Sequence, residues 1–417
     1  METQDVGPGV RFNPHLVRVE CQQGARRLLE ELGSDPGGIA IMSRKMQLVV
    51  VSVENVQARA ANIIKQIMLS KGGECATPRD TLLVDSRQPV RVIMMGTVSQ
   101  FSKAIKNLSV QPFGLKALSG ELKRLLSDAF VAERTRSMDA GRHTLQIGGR
   151  TLVMGVVNTT PDSFSDGGQF ERFEDARERA LAMERAGADI IDIGGESTRP
   201  GADPVSLEEE VRRTVPLIES LAGEVSVPIS IDSYKAAVVE KALDAGASII
   251  NDISGLRFDP DLVTLAAGRD VPVIIMHMRG TPRDMQADPR YDDVVSDISR
   301  FLRSQAEIAQ EGGIRREKIL VDPGIGFGKT VAHNLEIIRR IQEFRSVGFP
   351  VVLGTSRKRF IGTVLDRPVD RRILGTAATI AFAIARGVDV VRVHDVEEMI
   401  EVVKMADAVA GKNRQLE

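Results

Sequence analysis

From about residue 148 onward, one pattern of apolar and polar positions recurs along the chain. An amphipathic stretch is followed by a glycine and then by a short β-branched run that ends in polar residues, with clear copies at 184–196, 243–255 and 384–395. In each copy the glycine can take the left-handed position that ends a helix. The apolar run after it is typical of a parallel strand buried on both faces. The three glycines are Gly187, Gly246 and Gly387.

Five more short apolar runs fit the same strand role, at 152–157, 227–231, 271–276, 318–321 and 349–354. Helical stretches lie between the runs, as at 174–186, where Ala176, Ala180 and Met183 share one face. Eight strands that alternate with helices predict a parallel α/β fold. On periodicity alone, an open Rossmann-like sheet fits nearly as well as a closed barrel.

Polar side chains follow nearly every predicted strand, and this favours the barrel. An open sheet concentrates its site at one switch point, whereas a (β/α)8 TIM barrel gathers side chains from all its strand ends in one mouth. The residues are, in chain order, Asn158, Glu196, Asp232, Asn251, Asp252, His277, Asp322, Ser356, Lys358, Arg392 and His394.

The rest of the chain predicts a second, smaller domain. Residues 1–135 contain strand-like runs at 39–53, 81–84 and 91–97 and helix-like stretches at 56–73 and 121–126. They indicate a small α+β domain of unknown role, with packing, dimerisation or regulation as the default. Residues 136–147 are interpreted as a linker and the start of an entry hairpin. In that hairpin, Gly148 and Gly149 join a strand near 143–147 to the first barrel strand. The barrel then spans 148–410, and 411–417 form a polar tail.

Composition limits the class of protein. The 417 residues suffice for a barrel of about 250 residues and a smaller module. A formal net charge of −2 favours neither nucleic acid nor an anionic membrane, so local basic groups must hold any anionic substrate. The first 14 residues lack the apolar core of a signal peptide, and no apolar run is long enough for a membrane helix. With only Cys21 and Cys75, which form no C-x-x-C pair, we expect reduced thiols in a cytoplasmic protein.

Two loops carry the chemistry. The first strand leads into NTTPDSFSDGG at 158–168, whose crowded side-chain oxygens suit Mg2+, an ion that commonly shares substrate phosphate oxygens. An ordinary solvated loop has the same composition. The second strand leads into GGESTRPGA at 194–202. There, two glycines allow close approach of backbone to a ligand, and Arg199 offers a planar fork for diphosphate oxygens. Alone, this segment is a weak phosphate-loop signal.

Together with five further segments in the same order, these loops resemble the dihydropteroate synthase family. The further segments are SIDSYKA (230–236), IINDISG (249–255), VDPGIGFGK (321–329), GTSRKRFIG (354–362) and RVHD (392–395). The resemblance covers some 260 residues. It implies a pterin-binding barrel that condenses 6-hydroxymethyl-7,8-dihydropterin diphosphate with p-aminobenzoate to 7,8-dihydropteroate, uses Mg2+ and is inhibited by sulfonamides. It also implies a homodimer packed through late barrel helices.

The resemblance further implies a pterin slot. Asp322 accepts hydrogen bonds from the amino group and ring N–H of the pterin, Asn251 pairs with the neighbouring edge, and Lys358 donates to the opposite side. Arg392 lies flat on the ring, and Met276 and Phe327 form apolar walls. Asp232 stabilises the cation that forms when the diphosphate departs. The implied catalytic residues are Asp232, Asp166 and Lys358.

The diphosphate and the arylamine have implied sites as well. Asn158 holds Mg2+, and Thr198, Arg199, Arg392 and His394 bind the diphosphate. Phe164 and Pro200 sandwich the p-aminobenzoate ring near Thr198, and Asp166 helps to order the closed first loop. The chain departs from many relatives at Arg359, where they carry a serine that helps to bind the carboxylate of p-aminobenzoate. Arg359 can bind that carboxylate or admit a more acidic arylamine.

Several polar residues have structural explanations. Asp252 can cap a turn, Asp395 can be a helix N-cap, and Asp192 can bind backbone near Gly194. A lone His277 or His333 is more often structural than catalytic. Two other functions are a methyltransferase or folate-binding protein on the same barrel, and a scaffold for the N-terminal module. The diphosphate loops disfavour the first, and the full set of polar strand ends disfavours the second.

Overall fold

The computed structural model describes residues 17, 19, 22–81, 85, 87–131, 135–159, 169–197 and 201–412, without the side chains of 128–131 and 169–172. The chain divides into two compact units, Met1–Phe130 and Val131–Glu417. Within these described ranges, no helix has the length and apolar character needed to cross a membrane.

The N-terminal unit is a small α+β fold, as predicted. Its antiparallel sheet has the order β1-β3-β2, and side chains such as Ile64, Met94 and Phe101 fill its core. The predicted strand run at 39–53 is wrong in its first part, because Asp35 caps a helix there and accepts a 2.9 Å hydrogen bond from Gly38 N. Residues 82–84 of another predicted strand lie outside the described residues. The elements are α1 (Gln22–Glu31), α2 (Pro36–Met42), β1 (Leu48–Gln57), α3 (Ala58–Ser70), β2 (Glu74–Ala76), β3 (Pro89–Thr97), α4 (Val98–Leu108) and α5 (Leu115–Val131).

A β-hairpin precedes the barrel, but its pairing differs from the predicted one. Strands β4 (Arg136–Ala140) and β5 (His143–Ile147) pair antiparallel around a two-residue loop in which Gly141 has φ +61°. Residues 136–140 are therefore a strand and not a linker, and the strand after Gly149 pairs within the barrel. The sequence does not indicate this hairpin clearly, because β4 is short and mostly polar. Only its Met138 and Ala140 are buried.

The barrel itself has eight parallel strands in consecutive order, as predicted. A bridge between Val321 and Val351 closes the ring, and Val321 N donates to Pro350 O at 2.9 Å. The strands are β6 (Leu152–Asn158), β7 (Ile190–Gly194), β8 (Ile229–Asp232), β9 (Ile249–Asp252), β10 (Val273–Met276), β11 (Ile319–Asp322), β12 (Val352–Leu353) and β13 (Val390–Val393).

Helices surround this ring, and the recurring glycines end three of them. Gly187, Gly246 and Gly387 have φ values of +107°, +116° and +89°, which a side chain would strain. The helices are α6 (Gln169–Ala186), α7 (Leu207–Ala222), α8 (Ala236–Asp244), α9 (Asp261–Arg269), α10 (Val294–Glu311), α11 (Val331–Arg339), α12 (Arg359–Leu365), α13 (Ile373–Ala385) and α14 (Val396–Val409).

The last helix is fixed to the first barrel strand by a buried polar cluster. Thr151 donates to the carboxylate of Asp407 through its backbone N and its Oγ1, both at 2.7 Å. Lys412 Nζ donates to Thr151 Oγ1 at 2.9 Å. This cluster joins residues that are 256 positions apart and so stabilises the seam between the start and the end of the barrel.

The barrel interior is layered. The lower layer is apolar, and the hairpin closes it from below: Met138, Ala140, Leu145 and Ile147 pack against inward side chains from seven of the eight strands. Successive side chains of a strand point to opposite sides, so the next inward residue lies two positions further on. The inward lower-layer residues are Leu152, Met154, Ile190, Ile249, Ile274, Leu320, Val352 and Val390.

Candidate active site

The polar side chains of the mouth occupy the interior layer directly above the apolar one. Two positions after the lower-layer residue, β7 carries Asp192, β9 carries Asn251, β10 carries Met276, β11 carries Asp322 and β13 carries Arg392. The alternation of each strand thus places an apolar plug below and a reactive group above. Asn158 and Asp232 end β6 and β8 in the same phase.

One guanidinium lies between two carboxylates. Arg392 Nη2 is 2.6 Å from Asp232 Oδ2 and 2.5 Å from Asp192 Oδ2, and Arg392 Nε donates to Asp192 Oδ2 at 2.7 Å. Asn251 Nδ2 donates to the same oxygen of Asp192 at 3.2 Å. Strands β7, β8, β9 and β13 are therefore connected through side chains that the sequence separates by up to 200 residues.

Burial and neighbouring charges perturb this cluster. Burial raises the pKa of Asp232 to about 7; the Arg392 guanidinium opposes this rise, and the Asp192 carboxylate adds to it. Burial alone would lower the pKa of Arg392, but Asp192 and Asp232 raise it above its ordinary value. Arg392 is thus a permanent cation, while Asp232 changes charge near neutral pH.

A second carboxylate and cation of the mouth are Asp322 and Lys358, whose charges act on each other. Asp322 is buried, and its Oδ1 accepts from Gly324 N at 2.6 Å. Burial raises its pKa, which the Lys358 ammonium opposes. Burial lowers the pKa of Lys358 to about 8, although Asp322 opposes that shift. Lys358 Nζ also donates to Ile325 O and lies 4.5 Å from the centre of the Phe327 ring. A carboxylate, an ammonium and an aromatic face are thereby presented together.

The sequence did not indicate a role for Lys329, a buried lysine whose hydrogen bonds support the segment that carries Phe327. Lys329 Nζ is 2.9 Å from His277 Nδ1 and donates to Phe327 O at 2.9 Å and His277 O at 3.3 Å. Burial and Lys329 hold the pKa of His277 well below its usual range, so the ring is neutral. His277 packs edge-on against Phe301, with 4.8 Å between ring centres. These contacts of His277 are with other protein groups, which fits the structural explanation that the sequence favoured.

The segment after β12 arranges His394 and Arg357. Ser356 Oγ lies 3.0 Å from His394 Nδ1 and accepts from His394 N at 3.2 Å. Burial, with the charges of Arg392 and Arg357, lowers the pKa of His394 to about 3, so this imidazole can donate a hydrogen bond but carries no positive charge at neutral pH. Arg357 pairs with Asp395. Arg359 is exposed at the first position of α12.

A second network that the sequence did not reveal follows β7. Glu196 accepts from Lys235 Nζ at 2.6 Å, from Tyr234 OH at 2.8 Å and from Val205 N at 3.3 Å. Lys235 Nζ also pairs with the buried Glu210 at 2.7 Å. These bonds fix the described ends of the segment between β7 and α7. The strand-end position of Glu196 was the available signal, but its partners come from two other segments.

The predicted alternatives for single residues can be judged individually. Asp252 caps its turn and accepts from Ser254 N at 2.7 Å and Leu256 N at 2.6 Å, as expected. His333 takes part in a capping box with Thr330, which is also structural. Asp395 occupies the N-cap position of α14, although its carboxylate pairs with Arg357 and caps no backbone group. For Asp192 the suggested backbone role is wrong, because its contacts are with Arg392 and Asn251.

Five predicted site residues lie outside the described residues: Phe164, Asp166, Thr198, Arg199 and Pro200. Asn158, the predicted Mg2+ ligand, is half-buried at the end of β6. In the described part of the chain no three His, Cys, Asp or Glu side chains form a metal-binding group. Asn158 offers one amide oxygen at the mouth, which is a hard ligand of the kind that Mg2+ takes together with waters and substrate phosphate oxygens.

Comparison with known proteins identifies this arrangement. The model of the pterin-binding enzymes matches residues 154–394. Dihydropteroate synthase from Synechocystis is 48% identical over 273 residues, which is 65% of this chain and 94% of that protein. The Xanthomonas albilineans dihydropteroate synthase solved with 4-aminobenzoic acid is 41% identical with a TM-score of 0.63, covering 66% of this chain and 98% of the other.

One relative extends the similarity to the N-terminal unit. A probable bifunctional folylpolyglutamate synthase/dihydropteroate synthase from Halobacterium salinarum is 42% identical over 390 residues, or 94% of this chain. This chain spans only 46% of that protein. The N-terminal unit is thus shared at least with an archaeal relative. With its eight-stranded barrel and its family match, the chain belongs to the pterin-binding enzymes and, within them, to the dihydropteroate synthases, which are transferases of folate biosynthesis.

Proposed function

We propose that the barrel mouth condenses 6-hydroxymethyl-7,8-dihydropterin diphosphate with p-aminobenzoate by dissociative loss of diphosphate. One observation carries the proposal. Two carboxylate–cation groups, Asp322 with Lys358 and Asp232 with Arg392, lie in one interior layer above an apolar plug. Such groups can bind a flat heterocycle that has donors on one edge and acceptors on the other.

In this proposal the first group binds the pterin. Asp322 accepts from the amino group and ring N–H, and Lys358 donates to the carbonyl oxygen on the opposite side. The oxygen Oδ1 of Asp322 already accepts from Gly324 N, which fixes the carboxylate in the slot. Met276 and Phe327 pack against the ring, and Lys329 supports the backbone of Phe327.

The second group serves the departing diphosphate and the cation it leaves. Asp232 stabilises positive charge that spreads into the pterin only in the transition state, which accelerates the reaction. Arg392 binds both the ring and diphosphate oxygens, and neutral His394 donates one hydrogen bond to them. Asn158 would hold Mg2+, which would neutralise charge on the leaving diphosphate.

The arylamine completes the reaction. The carbon–oxygen bond to diphosphate breaks first and leaves the cation on the pterin methylene. The arylamine nitrogen then attacks that carbon, forms the carbon–nitrogen bond and loses a proton. We assign the ring of p-aminobenzoate to Phe164 and Pro200, with Thr198 nearby, Arg199 on the diphosphate and Asp166 ordering the first loop. The exposed Arg359 lies next to Lys358 in sequence and supplies a cation for the carboxylate. Sulfonamides compete at this place.

Diphosphate release from the two substrates and Mg2+, measured with a coupled assay, tests the proposal. We expect turnover by the full chain that requires both substrates and falls when Mg2+ is chelated. Phe164→Ala should weaken the arylamine step and leave pterin binding intact, while Asp322→Ala should abolish pterin binding. No turnover above a protein-free control would refute the proposal.

The proposal also covers the oligomeric state of the protein and its location in the cell. We propose a homodimer packed through α12 to α14, because apolar side chains there are exposed, with Leu374 at 80%, Met405 at 65% and Val364 at 56%. Leu374→Asp should shift the mass measured by light scattering from dimer to monomer. We also propose a cytoplasmic location, which fits the free, buried thiol of Cys75.

A further inference from the structure

Asp192 belongs to no substrate contact assigned above, yet it is a fully buried charged group of the mouth. It is the third residue of β7, with an exposed fraction of 0%. Ile190 lies beneath it in the apolar layer, and it is in register with Val156 on β6 and Ser230 on β8. A charge at this depth is strongly destabilising unless partners compensate it.

The hydrogen bonds that compensate the charge of Asp192 all go to one of its two carboxylate oxygens. Asp192 Oδ2 accepts from Arg392 Nε and Nη2 and from Asn251 Nδ2, whereas Oδ1 has no hydrogen-bond partner among the described residues. Because a carboxylate only accepts, Asn251 must turn its amide nitrogen towards Asp192. The amide oxygen of Asn251 then remains available on the other side as an acceptor for a ligand N–H.

The charge balance of the cluster also depends on Asp192. Asp232 alone would be neutralised by Arg392, to which it is paired at 2.6 Å. With Asp192 included, one guanidinium faces two carboxylates, so the cluster has a net charge of −1 when Asp232 is ionised. That excess negative charge lies where the pterin cation is proposed to form.

We propose that Asp192 is a positioning residue of the synthase reaction, which orients Arg392 and Asn251 and leaves one net negative charge beside the dihydropterin. This inference rests on the proposed function. Asp192 acts through its neighbours and need not touch a substrate. It differs from a purely structural residue because it sets the charge of the cluster as well as its shape.

Asp192→Asn removes the charge of the side chain and preserves its shape, since asparagine has nearly the same volume and keeps one acceptor oxygen. We expect kcat to fall roughly 10- to 100-fold, by analogy with the loss of one preorganised electrostatic group. Binding of 6-hydroxymethylpterin, measured by quenching of its fluorescence, should change much less. Ser230→Ala is the matched control, because Ser230 is buried on the adjacent strand in register with Asp192. It should leave both quantities unchanged.

The pH profile of kcat/KM is a second measurement, and a change in side-chain shape alone should not shift it. The Asp192 charge helps to raise the pKa of Asp232, so its removal should shift the acidic limb of kcat/KM to lower pH. Asp192→Ser, which removes the charge without adding volume, gives the same test if the first variant does not fold. The groups whose charges act on Asp232, and which must stay intact, are Arg392, Glu210, Asp252 and Lys358.

The outcomes can be distinguished. A lower kcat and a shifted acidic limb in an otherwise folded Asp192 variant support the inference. Wild-type kcat, or a slow variant whose acidic limb does not move, overturns it and leaves the proposed function standing. No turnover by the wild-type chain overturns the proposed function and this inference together.

Discussion

Replacement of Asp322 by asparagine tests the proposed pterin slot directly. The introduced asparagine can keep an oxygen towards Gly324 N, which Asp322 Oδ1 binds at 2.6 Å, so the local backbone should be preserved. The atom turned towards the pterin then changes from a charged acceptor to an N–H donor. A hydrogen bond to an ionised group contributes about 1.5–3 kcal/mol. The substitution removes one such hydrogen bond and places the asparagine N–H against an N–H of the pterin. It therefore predicts pterin binding that is roughly 100-fold weaker.

The same substitution has a second effect through Lys358. Burial lowers the pKa of Lys358 to about 8, and the Asp322 carboxylate is the main influence that keeps it from falling further. Without that carboxylate the pKa of Lys358 should drop below its wild-type value. Lys358 then loses its proton at lower pH, so the residual pterin affinity of the variant should decline at a lower pH than that of the wild type.

Fluorescence titration with 6-hydroxymethylpterin between about pH 6 and 9 measures both effects. Asp270→Asn is the control, because Asp270 is an exposed aspartate of the barrel paired with Arg315. Thermal melting followed by circular dichroism verifies that both variants are folded. An affinity within threefold of wild type across this range would show that Asp322 does not bind the pterin.

Three further predictions concern pH, stability and specificity. We expect kcat/KM for the pterin to fall below about pH 7 as Asp232 is protonated, and above about pH 8 as Lys358 loses its proton; a flat profile contradicts this. Asp407→Ala leaves two buried donors of the barrel seam without an acceptor and should lower the unfolding free energy by about 3–5 kcal/mol in urea titrations. The exposed Glu401→Ala on the same helix should change it by less than about 0.5 kcal/mol. Arg359→Ser should change KM for p-aminobenzoate and not for the pterin, and an equal change in both argues for a different role.

The sequence could predict the barrel because the same pattern of residues recurs in successive strand and helix units. Each strand shows an apolar run that ends in a polar residue, and helix-ending glycines such as Gly187 and Gly246 mark the units. The hairpin was assigned the wrong partner because it lacks that redundancy. Two buried side chains in β4, Met138 and Ala140, do not outweigh its polar residues. The Gly141 turn was the available signal, and it competed with the more obvious Gly148-Gly149 pair.

At the site, sequence position predicted which residues face the mouth but not what they contact. Asp192 shares the phase of Asn251 and Arg392, yet a pairing across 200 residues depends on closure of the barrel. Lys329 looks like an exposed loop lysine in GIGFGK. It is buried, and the carbonyl oxygens of His277 and Phe327 accept hydrogen bonds from it; local sequence does not reveal that these two groups converge.

The two charged groups of the mouth explain how one layer can both bind and ionise its substrate. Asp322 and Lys358 carry opposite charges, so the part of the slot that recognises the neutral dihydropterin offers it both an acceptor and a donor. Around Arg392 the balance differs, because Asp192 and Asp232 together exceed the guanidinium by one negative charge. A substrate that is neutral when bound and cationic in the transition state gains more from the second group as the reaction proceeds. Differential stabilisation of this kind accelerates the chemical step, whereas uniform binding does not.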